Sequence, residues 1–201
     1  MDINLTPFST TIFIFTILLS LFVIYRRQSL FNKLMLIPVA VEENKEWYRF
    51  ISSGFIHADL FHLGFNMMTF YFFAFNYESY VGGLQFLIIY LGSMILADIP
   101  TYLKNKNNPR YAALGASGAI SGLLFSYILY DPEMSLYIMF FPIPIPAPIF
   151  AILYLVYCWY ADKKSQDNVN HNAHLWGAIA GLVLTALIDF SVFSGFIQYI
   201  F

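Results

Sequence analysis

The chain has 201 residues, 59% hydrophobic and only 11% charged, with a mean hydropathy of +0.65. Soluble domains carry about 25% charged residues, so this chain has too few charges to cover a water-facing surface. The net charge of −2 supplies no basic field, which argues against nucleic acid as a partner, and the length suits a single domain over residues 1–201.

Six uncharged apolar stretches, 8–25, 60–77, 81–97, 111–130, 134–161 and 173–188, come near the roughly 17–25 residues that a helix needs to cross a bilayer. The first has no basic residue before it and no small-x-small cleavage pattern before Arg26-Arg27, so it reads as a span and not a signal peptide. The connection over 26–59 mixes Arg26, Arg27, Lys33 and Lys45 with Leu34-Met35-Leu36-Ile37, the composition of a segment lying in the membrane interface. Tyr48-Arg49 and His57 within it read as interfacial anchoring.

The second span carries His62 and Asn66, four residues apart and so on one helical face. Two uncharged donors there can aim at one point and suit a negative oxygen in a dry site. The structural alternative is a hydrogen bond between helices. A polar link, 104–110, then precedes Gly115-Ala116-Ser117-Gly118. A serine between glycines at a helix start is open to close approach, and its N–H lacks an intrahelical partner and can face an oxyanion. Taken alone the motif reads more readily as packing, because Gly118 and Gly122 fit a small-xxx-small stripe. If this span is helical from Tyr111, Ser117 lies roughly 9 Å below its start.

In the fifth span Pro142, Pro144, Pro146 and Pro148 alternate, and each removes an N–H and restricts the residue before it. The stretch is expected to be a break, or an extended lead into a helix from about Ala147; a loop at the membrane boundary and a functional break are equally open. With Phe140, Phe141 and Phe150 as its bulky residues, this span is the natural lateral gate. Cys158, the one cysteine, reads as packing.

The polar link 162–172 leads into Ala173-His174, and Gly177 and Gly181 follow on nearly one face. Glycines there let two backbones approach as closely as a Ser117–His174 hydrogen bond needs, so catalysis is favoured over a structural role for His174. Asp189 lies fifteen residues further on, roughly 22 Å along a continuous helix, and cannot orient the imidazole. No His-Glu-x-x-His or Gly-x-Gly-Asp occurs. His171, His174 and His62 lack carboxylate or cysteine co-ligands for a metal, and no cofactor is implied.

Together and in this order, these features resemble the rhomboid family over about 48–188. The resemblance is carried by Tyr48-Arg49, the His-x-x-x-Asn of His62 and Asn66, Glu78 after the second span, Gly-x-Ser-Gly at 115–118, the proline-rich lead, and Ala-His-x-x-Gly-x-x-x-Gly at 173–181. It implies an all-α bundle of six transmembrane helices with a long interfacial first connection. It also implies an intramembrane serine endopeptidase that cuts transmembrane segments of other membrane proteins within the lipid bilayer. Ser117 would be the nucleophile and His174 the general base, with His62, Asn66 and the Ser117 N–H as the oxyanion hole. Gly115, Gly118, Gly177, Gly181 and Arg49 would give structural support. Rhomboids often place an aromatic four residues after the nucleophile to hold the base; Ser121 stands there, so another aromatic must substitute or the base is held less firmly.

Two alternatives belong to other classes. A catalytically inactive rhomboid-like adaptor is disfavoured by the presence of Ser117 and His174. A small transporter or channel is disfavoured by the lack of internal repeats and of carboxylates beside the histidines. The ten Lys and Arg all lie in the first, third and fifth connections, which the positive-inside rule assigns to the cytoplasm. The family arrangement implies the opposite, a site opening outward from a cell membrane. We follow the family, because part of the first connection belongs to the interface and is no free topological signal.

Overall fold

A proline in the first turn of a helix leaves no bond unmade, and α1 (Pro7–Tyr25) begins in this way. The computed structural model describes residues 5–138, 141–165, 167 and 169–200. The first connection folds into three short helices, α2 (Ser29–Leu34), α3 (Pro38–Asn44) and α4 (Arg49–Ser52), and a 3₁₀ turn at Ser53–Phe55. Arg49, 5% exposed, pins it. Its guanidinium pairs with Glu46 and donates to the carbonyls of Asn32 at 3.0 Å and Met35 at 2.7 Å.

Asp59 caps the next helix, its Oδ1 accepting the His62 N–H at 2.8 Å, and α5 (Leu60–Val81) follows. Gly82, at φ 84°, turns the chain into α6 (Gly83–Asn105). Then come α7 (Ser117–Tyr130), the antiparallel strands β1 (Ser135–Ile138) and β2 (Phe141–Pro146), α8 (Ala147–Lys164), α9 (His171–Ile188) and α10 (Phe190–Ile200). Helices α1, α6 and α9 are long and apolar enough to cross a bilayer, as befits an integral, multi-pass membrane protein.

The short α7 is the hub, with eleven of its 14 residues buried. On one side lies an aromatic core in which Phe70, Tyr77, Phe86 and Tyr90 are fully buried. Phe70 and Tyr90 meet edge to face at 5.5 Å. A buried hydroxyl relay joins α5, α7 and α9: Tyr77 OH to Ser126 Oγ at 2.6 Å, Ser126 Oγ to Thr185 Oγ1 at 2.5 Å, and Thr185 Oγ1 to the Gly181 carbonyl at 2.7 Å.

Two sequence expectations need correction. Residues 111–116 are not helical: Ala113 exchanges backbone hydrogen bonds with Leu36, both at 2.9 Å, and Gly115 takes φ 113°. The bundle is not wholly α, because the alternating prolines form β2, where Pro144 and Pro146 stand opposite Tyr137 and Ser135. The proline run takes the second of its two expected forms, an extended lead that ends where α8 begins at Ala147, and so it is no break within a gate. Phe140 lies outside the described residues.

The buried carboxylate of Glu78, at the end of α5, accepts from Phe8 N–H at 3.0 Å, Ser9 N–H at 2.6 Å and Ser9 Oγ at 2.5 Å. A negative group thus meets the positive end of α1. Glu78→Ala leaves two N–H donors without an acceptor, while Ser9 Oγ keeps the Ala74 carbonyl at 3.2 Å, and is expected to cost about 2 kcal/mol or more, with Glu78→Gln losing less. Thermal unfolding in detergent checks this, and three equal midpoints would contradict it.

Candidate active site

The loop ahead of α7 is tied to the first connection at three successive points. Beyond the Leu36–Ala113 pair, Gly115 N–H donates to the Ser53 carbonyl at 2.9 Å, and Ala116 N–H donates to His57 Nε2 at 3.4 Å. The φ of 113° at Gly115 suits glycine alone, and space demands glycine as well. A Cβ there would stand 2.7 Å from two atoms of the His62 ring, which therefore lies against this loop. Ser117 follows as the first residue of α7, so its N–H falls among those that a helix leaves unpaired.

Across from it, Asn170 caps α9 by accepting the Ala173 N–H at 3.1 Å, which sets His174 in the first turn. The two helices then meet backbone to backbone. A Cβ on Gly177 would strike the Gly118 carbonyl, and one on Gly181 the Gly122 carbonyl. At this spacing His174 Nε2 lies 2.7 Å from Ser117 Oγ. Asn66, 7% exposed and one turn along α5 from His62, donates from Nδ2 to the His62 carbonyl at 3.0 Å. Arg49 stands apart from the pair and organises the first connection.

Sequence reasoning gave His57 no chemical role, yet it is fully buried and both its nitrogens are used. Nε2 accepts from Ala116, so Nδ1 carries the proton and donates to Ser20 Oγ at 3.1 Å, which donates to the Phe55 carbonyl at 3.2 Å. The ring meets His62 edge-on at 4.9 Å. Burial pushes its pKa down to about 3. The available signal was a histidine in an apolar stretch five residues ahead of His62.

His171 is 4% exposed, with Nε2 at 3.1 Å from both carboxylate oxygens of Asp167. Ser165, His171 and the Val169 N–H together hold that carboxyl down at about 2. Among the described residues no group of three His, Cys, Asp or Glu side chains is arranged to hold a metal. Ser121 donates to the Ser117 carbonyl at 2.9 Å and meets the hydroxyl of Tyr154, from α8, at 2.7 Å. An aromatic from a neighbouring helix thus stands beside the position where the serine replaces one. Behind Ser117 a cavity of about 20 Å³ is lined by Ser53, Asp98, Gly115, Gly118 and Asn170, among others.

Residues 44–189 match the family model described as "Rhomboid domain". The chain belongs to the rhomboid family. It is 33% identical over 146 residues to "Putative rhomboid protease YdcA" of Bacillus subtilis (strain 168), covering 72% of this chain and 68% of that one. It is 27% identical over 180 residues to "RHOMBOID-like protein 12, mitochondrial" of Arabidopsis thaliana, covering 82% and 53%. It is 30% identical over 132 residues to "Presenilin-associated rhomboid-like protein, mitochondrial" of Homo sapiens, covering 65% and 35%. This rhomboid therefore spans about half or less of the two mitochondrial relatives.

The neutral, buried His57 makes this rhomboid's stability depend on pH. Between pH 6.5 and about 3 the unfolded chain holds a proton that the folded one does not, so stability falls as pH drops through that window. From pH 6.5 to 5 the loss is on the order of 2 kcal/mol. His57→Gln is expected to lower Tm at pH 7 yet shrink the drop between pH 7 and pH 5. An unchanged drop in the variant would count against this account.

Proposed function

We propose that this rhomboid is an intramembrane serine endopeptidase that cuts the transmembrane segments of other membrane proteins with a Ser117–His174 dyad. The observation that carries the reading is the 2.7 Å contact between Ser117 Oγ and His174 Nε2, made across a glycine seam at the starts of two helices. His174 accepts the Ser117 proton at Nε2 as Oγ attacks the substrate carbonyl. The oxyanion then faces the Ser117 N–H, the His62 ring and the second N–H of the Asn66 amide. His174 returns the proton to the leaving amine, and water attacks the acyl-enzyme with His174 again as base. The cavity behind Ser117, polar at Ser53, Asp98 and Asn170, has room for such a water. No cofactor takes part.

In this reading α1, α5, α6, α7, α8 and α9 are the six transmembrane helices. A helix of 14 residues such as α7 is roughly 21 Å long against a hydrocarbon core of about 30 Å, which sinks Ser117 below the membrane surface in a water-filled recess. Substrate reaches it laterally between α5 and α8, since α8 packs on α9 and α7. The bacterial relative favours a cell membrane over a mitochondrial one, and imaging of a tagged chain tests that choice.

A fluorophosphonate probe is expected to label wild-type protein at Ser117. Ser117→Ala and His174→Ala should each abolish cleavage of a model transmembrane substrate, with the double variant hardly worse than either. His62→Ala and Asn66→Ala should each lower kcat about 10²–10³-fold with little change in KM. A folded wild-type protein that neither labels nor cleaves would be an adaptor, and a pure KM effect would remove the oxyanion role.

A further inference from the structure

Of the helices flanking the pair, α8 is the least embedded: only Ala147, Cys158 and Ala161 of its 18 residues are buried. Ile152, Leu153, Val156 and Trp159 are each more than half exposed. Two tyrosines at i, i+3 on this helix nevertheless touch the neighbours of the dyad, Ser121 and His171. Ser121 spends its hydroxyl proton on the Ser117 carbonyl at 2.9 Å, so at the 2.7 Å contact Tyr154 is the donor and Ser121 the acceptor. Tyr154 is therefore one side chain away from the backbone of Ser117. One turn on, the Tyr157 ring meets His171 edge to face at 5.5 Å and 88°. His171, held by Asp167, in turn meets His174 at 6.0 Å and 78°. Tyr157 is likewise one side chain away from the imidazole that bonds Ser117.

We propose that Tyr154 and Tyr157 are positioning residues that make the Ser117–His174 geometry depend on the seating of α8. The inference rests on the reading of Ser117 and His174 as the reacting pair. Among the described residues no carboxylate bonds His174, so edge-to-face packing and the hold on α7's first turn fix its alignment with Oγ. When α8 moves aside to admit a substrate, both tyrosines leave with it. The dyad falls out of register and regains it only as α8 returns. Chemistry is thereby confined to the closed arrangement.

The test uses the full chain in detergent and a small fluorophosphonate that needs no lateral passage between helices. Tyr154→Phe and Tyr157→Leu are expected to lower the maximal inactivation rate about tenfold each, with the probe's half-saturating concentration and Tm little changed. Tyr160→Leu, at an α8 tyrosine as exposed as Tyr157 but, among the described residues, in ring contact with neither histidine, should match wild type. Moving the ring, with Ser121→Tyr in a Tyr154→Ala background, should recover part of the rate. Independently of activity, ¹³C-histidine spectra should show the ring resonances of His171 and His174 displaced in Tyr157→Leu but not in Tyr160→Leu. Wild-type inactivation rates in both tyrosine variants, or undisplaced ring resonances, overturn the proposal. Should wild-type protein fail to label at all, the protease reading fails separately, and the histidine spectra alone decide whether α8 holds the two rings.

Discussion

The site depends on the absence of four side chains. Gly118 and Gly122 on α7 meet Gly177 and Gly181 on α9, with backbone lying on backbone. Lipid tails are as apolar as leucine, so helices in a bilayer gain little from burying greasy surface against each other and much from close van der Waals approach. That approach brings an imidazole on one helix within a hydrogen bond of a hydroxyl on the other. Deeper along the same seam, the relay through Ser126 and Thr185 closes on the Gly181 carbonyl and locks the register. A methyl on Gly177 or Gly181 would reach the site as a loss of alignment, although neither residue touches Ser117 Oγ or His174 Nε2.

The second constraint comes from the first connection, which is as much part of the site as the helices are. Leu36, Ser53 and His57 hold the backbone of residues 113–116, and the Arg49 guanidinium holds the connection itself together. Histidines recur in this neighbourhood as His57, His62, His171 and His174, while Asp167 is kept at arm's length from His174 by His171. Imidazoles can be buried neutral with both nitrogens bonded, as His57 is, whereas a lone carboxylate at that depth would carry a large desolvation cost.

Much of this was legible in the sequence, for identifiable reasons. Apolar runs separated by short polar links announce membrane helices, and the glycine spacing at 177 and 181 points to close approach near His174. The proline alternation excluded a helix through 142–146 and set the start of α8 at Ala147. What escaped is what depends on long-range contacts. Residues 111–116 are apolar enough for a helix, but their backbone groups go to Leu36, Ser53 and His57, none of them near in sequence. Ser121 looked like a missing aromatic, because its partner Tyr154 lies 33 residues away on another helix. Neither periodicity nor composition carries information of that kind.

The hairpin between α7 and α8 has a consequence for how molecules of this protein meet one another. Prolines at 144 and 146 stand two residues apart in the regular part of the ladder, so both turn the same edge of β2. The pairs Pro144–Tyr137 and Pro146–Ser135 are positions that exchange no ladder bonds, which makes that edge the outer one. It offers carbonyls but no N–H groups. A passing chain that tried to lengthen the sheet would find half of every hydrogen-bond pair missing. An exposed strand in a crowded membrane is an invitation to uncontrolled association, and here the invitation is withdrawn by covalent structure alone, with no charge spent on it.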